Sequence, residues 1–175
     1  PDSVPTAYVI PNNGCSYSTV IQARSWLPDT IGGIVWFSFD NPAHGARMPL
    51  YCGITRVPPD FEVSGQHGFT TASASWAFRR VSRLSGLKWG TTRPLVESLV
   101  QELEDQAFAE LPDIERRALA LFETDPDKAR AFLTSYCENF ARAVTRRYWE
   151  LGDTLMDMFA YGFYFTPEQL KSFRK

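Results

Sequence analysis

The segment Ile34–Phe39 (IVWFSF) constrains this chain most, because it is apolar on both alternating faces apart from Ser38. Gly32-Gly33 opens it. Asp40-Asn41-Pro42 ends it, since proline supplies no ladder donor and Asp and Asn favour turns. A strand of this kind needs cover on both sides, as in the middle layers of a sandwich. The fold is therefore expected to bring a layer to each face of this strand.

Weaker β signals flank it. Ser18–Ser25 (STVIQARS) alternates and carries Val20 and Ile21, which predicts a strand, and Leu27-Pro28-Asp29 predicts a turn after it. Met48–Ile54 (MPLYCGI) predicts a third strand, with Pro49 placing it at an edge or a bulge. Pro58-Pro59-Asp60 closes the region, and residues 61–70 read as an ordered surface loop.

Near residue 70 the period changes from two to that of a helix. Thr71 is a plausible N-cap, and Ala72–Leu84 places Trp76, Phe78, Val81 and Leu84 mostly at helical spacing. A break at Gly86 to Gly90 leads to the helix-start pair Thr92 and Pro94. Leu95, Leu99, Leu103, Ala107 and Leu111 then form one stripe at i+4 steps. Leu111-Pro112-Asp113 predicts an interruption, Ile114–Phe122 a shorter helix, and Asp125-Pro126-Asp127 the start of a longer one. Met156–Phe165 reads as a docking strand or terminus, and Thr166–Phe173 as a capped terminal helix. The organisation expected is α+β: residues 1–70 β-rich, residues 71–175 mainly helical and packed on them, within one domain.

Composition excludes several classes. With 175 residues, 44% hydrophobic and 14% aromatic, the chain can bury a core and is not expected to be disordered. A net charge of −2 argues against a dominant nucleic-acid surface. The basic residues are mostly arginine, which favours fixed planar pairs with carboxylates. No apolar run reaches the length of a membrane span, and no basic segment followed by an apolar run opens the chain. The first residue is Pro1, and residues 1–11 already alternate apolar and turn-forming residues, so we expect a chain that starts inside a longer gene product.

Most recognisable chemistry is missing. There is no GxSxG elbow, P-loop, GxGxxG fingerprint or EF-hand loop. His44 and His67 lack a patterned third ligand, and no metal or other cofactor is expected. Glu102-Leu103-Glu104-Asp105 reads as solvated helix surface, because residues one or two apart do not share a helix face. Arg79, Arg80 and Arg83 form an anion patch or, more simply, ion pairs. Cys15, Cys52 and Cys137 have no CxxC spacing and read as reduced thiols. Reduced thiols lean towards a cytoplasmic setting.

What remains is an ordered series of turn and strand motifs: Ser18-x-Val20-x-Gln22-x-Arg24, then Leu27-Pro28, Ile31-Gly32-Gly33 with Trp36, and Pro49-x-Tyr51-x-Gly53 before Pro58. Ala74–Arg80 (ASWAFRR), Lys88-Trp89-Gly90 and Ala107–Pro112 (AFAELP) continue it. The series resembles the C-terminal half of the dipeptidase A type peptidases, cysteine members of the N-terminal-nucleophile hydrolases and mostly bacterial. The resemblance implies the C-terminal part of a four-layer αββα fold, with antiparallel strands followed by a mainly helical region. It also implies a cysteine at the mature N-terminus that attacks the peptide carbonyl. Its own α-amine, titrating near neutrality, acts as base.

The substrates implied are dipeptides, and the implied partner is the N-terminal part of the same protein, with a homo-oligomer possible and no nucleic acid or membrane. Cys15 lies in poor context for the nucleophile, and Cys52 and Cys137 fall inside predicted elements, so the nucleophile is expected outside this chain. Arg24 is the catalytic candidate by resemblance, because a fixed guanidinium lowers a nearby thiol pKa and stabilises an oxyanion. The other role open to it is a structural arginine–carboxylate pair. Alternation puts Gln22 on the same strand face, and Gln22, Asp40 and Asn41 are the substrate-binding candidates, with His44 in the same loop. Two other readings stay open: a non-catalytic helical interaction domain, and a related amidase or acyltransferase. A self-standing module would cover both faces of Ile34–Phe39 with its own helices. A hydrolase fragment would leave an apolar sheet face or an unpaired edge.

Overall fold

The computed structural model describes residues 14–160 and 165–173, so the alternation over residues 1–11 lies outside it. β1 (Tyr17–Ala23), β2 (Gly33–Phe39) and β3 (Met48–Tyr51) form an antiparallel sheet in the order β1-β2-β3. Val20 pairs with Trp36, and Ile34 with Tyr51, so the ladder register follows the alternation of the sequence. The expected turn at Leu27-Pro28-Asp29 is the entry to a single helical turn, α1 (Asp29–Gly32). The third strand ends at Tyr51, three residues early, where Cys52 and Gly53 fold back onto Gly33 and Thr30 through backbone bonds.

Four helices follow a 3-10 turn at Pro59–Phe61: α2 (Ala74–Gly86), α3 (Trp89–Thr124), α4 (Pro126–Phe159) and α5 (Pro167–Phe173). Thr71 is not the cap of α2. The helix starts two residues later, with Ser73 at the cap position and its hydroxyl committed to Val63 O and Ser75. Thr92 is likewise interior to α3, where its hydroxyl donates to Ser85 O and ties the end of α2 to the start of α3. Asp125 does cap α4, accepting from the amides of Asp127 and Lys128.

Pro112 does not interrupt α3, contrary to the sequence expectation. A mid-helix proline loses one hydrogen bond and crowds the carbonyl four residues back, costing about 3 kcal/mol. Here Pro112 is exposed, so water can serve the freed Phe108 carbonyl. Leu99, Leu103, Ala107, Leu111 and Ala118 stay buried along one face spanning the proline. Each leucine buried this way contributes about 2 kcal/mol, which outweighs the defect. Nor do Met156–Phe159 form a strand. They continue α4, and Tyr161–Tyr164 lie outside the described residues.

The helices cover one face of the sheet. Ile34, Trp36, Ser38 and Tyr51 are buried, Trp36 against Phe108 of α3 and Tyr51 against Glu115 of α3 and Tyr136 of α4, whereas Val35, Phe37 and Phe39 are half-buried on the other face. Among the described residues, that second face is covered only at its Phe37 and Phe39 end, by Phe61 and Phe78. Tyr17 and Ile21 on β1 remain 61% and 77% exposed, and among the described residues no strand pairs with the outer edge of β1. Among the described residues, the cover expected on both sides of Ile34–Phe39 is thus complete on one side only.

Candidate functional site

The two groups of candidate residues lie at opposite ends of β2. At its N-terminal end, Arg24 follows β1, and its backbone amide bonds Gly32 O. Its side chain turns under the sheet: Nε donates to Gly32 O at 3.3 Å and Nη2 to Ile31 O at 3.0 Å. Nη2 also lies 2.7 Å from Glu115 Oε1 of α3. Glu115 accepts a second bond from Tyr51 Oη, 3.1 Å away. Burial and the adjacent Glu115 carboxylate push the Tyr51 phenol well above its ordinary pKa, so it stays protonated and donates. Gln22, one pleat back on the same face, accepts from Trp36 Nε1 at 3.0 Å. Arg24 and Gln22 lie two residues apart at the end of β1 with separate partners, and a carboxylate the sequence did not flag holds the arginine. Glu115 lies too far along the chain for any local motif to join it to Arg24.

At the far end of β2, Asp40 adopts a left-handed backbone (φ 57°), which Asp tolerates better than most residues. The turn is completed by Asn41, whose Oδ1 accepts from Ala43 N. Gly45 is required here, because a Cβ would lie 2.0 Å from Ser38 Oγ. Tyr148 of α4 pins the loop, donating to His44 O at 2.8 Å and accepting from Ala46 N at 2.6 Å. Asp40 is buried, with Oδ2 3.1 Å from Arg79 Nε, while its Oδ1 has no hydrogen-bond partner among the described residues. Arg79 also reaches Gly65 O and packs over the Trp76 ring. Beside it, a recess of about 200 Å³ opens on the uncovered sheet face between Tyr17, Phe37, Phe39 and Phe61.

His44 Nδ1 lies 3.0 Å from Ser82 Oγ, and its ring packs on Trp89 at a 32° tilt. Burial lowers the His44 pKa. Asp40 opposes that shift and Arg83 adds to it. The proximity of Asp40, His44 and Ser82 invites comparison with a hydrolytic triad. Ser82, however, lies within α2 at 4% exposure, with His44 at 8% and Asp40 at 2%. No carbonyl can approach this serine, so the cluster is structural polarity at a helix junction.

The two ends do not serve one small substrate. Six steps of strand at about 3.3 Å separate them by roughly 20 Å, whereas an extended dipeptide spans about 7 Å. The remaining charged candidates resolve into pairs. Arg80 meets Asp153, Arg147 meets Glu102, and Arg47 meets Glu104, so Glu102 and Glu104 do not converge. Among the described residues no three His, Cys, Asp or Glu side chains gather as a metal-holding group. No described helix is long and apolar enough to cross a membrane. Cys52 is exposed, Cys15 partly so, and Cys137 buried.

A three-stranded antiparallel sheet followed by a mainly helical remainder places the chain in the α+β class. The chain belongs to peptidase family C69, the dipeptidase A family, whose model matches residues 8–102. That match spans the whole sheet, α2 and the first part of α3. No curated protein matches the chain.

Proposed function

We propose that this chain is the C-terminal part of a cysteine dipeptidase with a four-layer αββα architecture, whose nucleophile lies outside it. Membership of peptidase family C69 carries this reading. The uncovered face of β1 and β2 supports the fragment assignment, because exposed Tyr17 and Ile21 beside half-buried Val35 and Phe37 are the surface a second sheet would cover. A self-standing interaction module would close that face with its own helices.

In the proposed reaction, the N-terminal cysteine passes its proton to its own α-amine, and its thiolate attacks the dipeptide carbonyl. The tetrahedral oxyanion collapses to a thioester, and the leaving amine takes the proton. Water then hydrolyses the thioester, restoring the thiol. Arg24 is the residue of this chain proposed to stabilise the developing negative charge. Its part-buried mooring to Glu115, Ile31 O and Gly32 O fixes the guanidinium plane. Gln22 lies beside it as a substrate-binding candidate, since the bond from Trp36 uses only its carbonyl oxygen. Asp40 and Asn41, also substrate-binding candidates, lie at the other end of β2 and are buried; neither lines the recess there, whereas Arg79, which pairs with Asp40, does.

The test is hydrolysis of a dipeptide panel by the intact gene product, with and without iodoacetamide. Turnover that the alkylating agent abolishes, and that the isolated chain lacks, is expected. Robust turnover by the isolated chain, lost in Cys15→Ala, would overturn the assignment.

A further inference from the structure

One face of α4 carries Arg142, Thr145, Arg146 and Trp149 in a single stripe, at the i, i+3, i+4, i+7 steps that share a helix side. With Pro59 and Asp60 of the 3-10 turn they line an open recess of about 520 Å³. The polar groups of this recess are largely unspent. Thr145 is 5% exposed, yet its hydroxyl has no hydrogen-bond partner among the described residues. Thr134 and Thr154 of the same helix donate to the carbonyls four residues back, Arg130 O and Glu150 O, and Thr145 does not. Arg142 and Arg146 lie 4.0 Å from Glu138 and 3.8 Å from Glu150, beyond hydrogen-bond reach. Glu138 already accepts two bonds from Arg56, and Glu150 is shared with Arg147 at 3.7 Å.

Asp60 faces these arginines half-buried and in no ion pair among the described residues. Burial raises its pKa, against the opposing pull of its own amide and of Arg142, so a cation brought to this carboxylate would offset the cost of its burial. The recess thus offers a carboxylate on one wall and two guanidinium forks on the other, with an indole beside them. A simple anion or cation would pair with one wall and leave the other desolvated without a partner. A ligand that carries both charges satisfies both walls, and the volume is that of a small-molecule site. We propose that this recess binds small zwitterions of the α-amino acid class. The ammonium sits at Asp60, the carboxylate at Arg142 and Arg146 with the Thr145 hydroxyl turned to it, and an apolar side chain against Trp149. None of these residues takes part in the proposed dipeptidase chemistry, so the site stands or falls independently of it.

Titration of the chain with L-phenylalanine at neutral pH, followed by NMR through the Trp149 indole resonance, tests the site. 2-Phenylethylamine and 3-phenylpropionate, which each lack one of the two charges, are the comparators. The amino acid is expected to bind about threefold to fivefold more tightly than either, the worth of one semi-exposed ion pair. Asp60→Asn should bring phenylalanine level with 3-phenylpropionate. Arg142→Gln combined with Arg146→Gln should bring it level with the amine. The two arginine side chains are 57% and 70% exposed, and Asp60→Asn keeps the side-chain shape, so circular dichroism should report an unaltered fold. Absence of a saturable shift at Trp149, or binding of the amine or the acid as tight as that of the amino acid, would overturn the proposal. So would saturable binding that neither variant alters.

Discussion

Nη2 of Arg24 and Oε1 of Glu115 are 2.7 Å apart, with the two side chains only 11% and 16% exposed. The pair joins the end of β1 to the C-terminal third of α3, and Tyr51 of β3 donates to the same carboxylate oxygen. One ion pair thus ties together three elements that are remote in sequence.

Glu115→Gln in the isolated chain is expected to cost about 2–3 kcal/mol, since it leaves a largely buried guanidinium without its counter-charge. Urea unfolding of Arg24→Ala, Glu115→Gln and the double variant measures the coupling. Additive effects would show that the pair is energetically idle. In the intact enzyme, Arg24→Lys should fold but lose turnover if the planar guanidinium acts on the reaction. Equal loss of folding and activity would make Arg24 purely structural.

Stability should fall between pH 7.5 and pH 5. The folded chain holds the His44 proton more weakly than the unfolded chain, whose ordinary pKa is 6.5. The stabilisation is therefore present above that value and is lost as pH drops through it towards the lowered folded value. Urea midpoints across this range should decline in the parent and decline less in His44→Gln. A flat parent profile would remove His44 from the account.

Tyr148→Phe removes the hydroxyl that satisfies both His44 O and Ala46 N in the buried loop after β2. The ring remains to stack on Phe78. The expected loss is about 1–3 kcal/mol, the cost of leaving a buried amide unpartnered. Faster hydrogen exchange confined to residues 41–47 would locate the effect.

The thiols should react in order of access. Burial pushes the Cys137 thiol up to about 12 and leaves it 1% exposed, whereas Cys52 lies on the surface beside Gly33. Under native conditions Cys52 should be labelled by a disulfide reagent on the order of 10³ times faster than Cys137, which waits for unfolding. Cys52→Ser should remove one accessible thiol and leave labelling of the partly exposed Cys15.

Ile21→Lys should barely change the stability of the isolated chain, because Ile21 is 77% exposed. In the intact protein it should abolish folding or activity if another sheet packs there. Unchanged dipeptide turnover would remove the open face from the proposed architecture.

Period-two and period-3.6 patterning, with Gly32-Gly33 and Asp40-Asn41-Pro42 as punctuation, was enough to place the three strands and the helical character of the rest. The Asp125-Pro126-Asp127 cap was also local in origin and legible. The motif order carried the family, which needs no coordinates.

Tertiary structure alone decided the rest, since each answer depends on partners far away along the chain. Pro112 could remain inside α3 because its exposed ring and the buried stripe around it outweigh a local defect. Glu115 could meet Arg24 only once α3 had crossed the sheet. Whether both faces of Ile34–Phe39 are covered is likewise a question of which elements return to them: the helices cover one face and leave the other largely open. Local sequence sets the apolarity of a strand, but long-range packing decides which of its faces is buried.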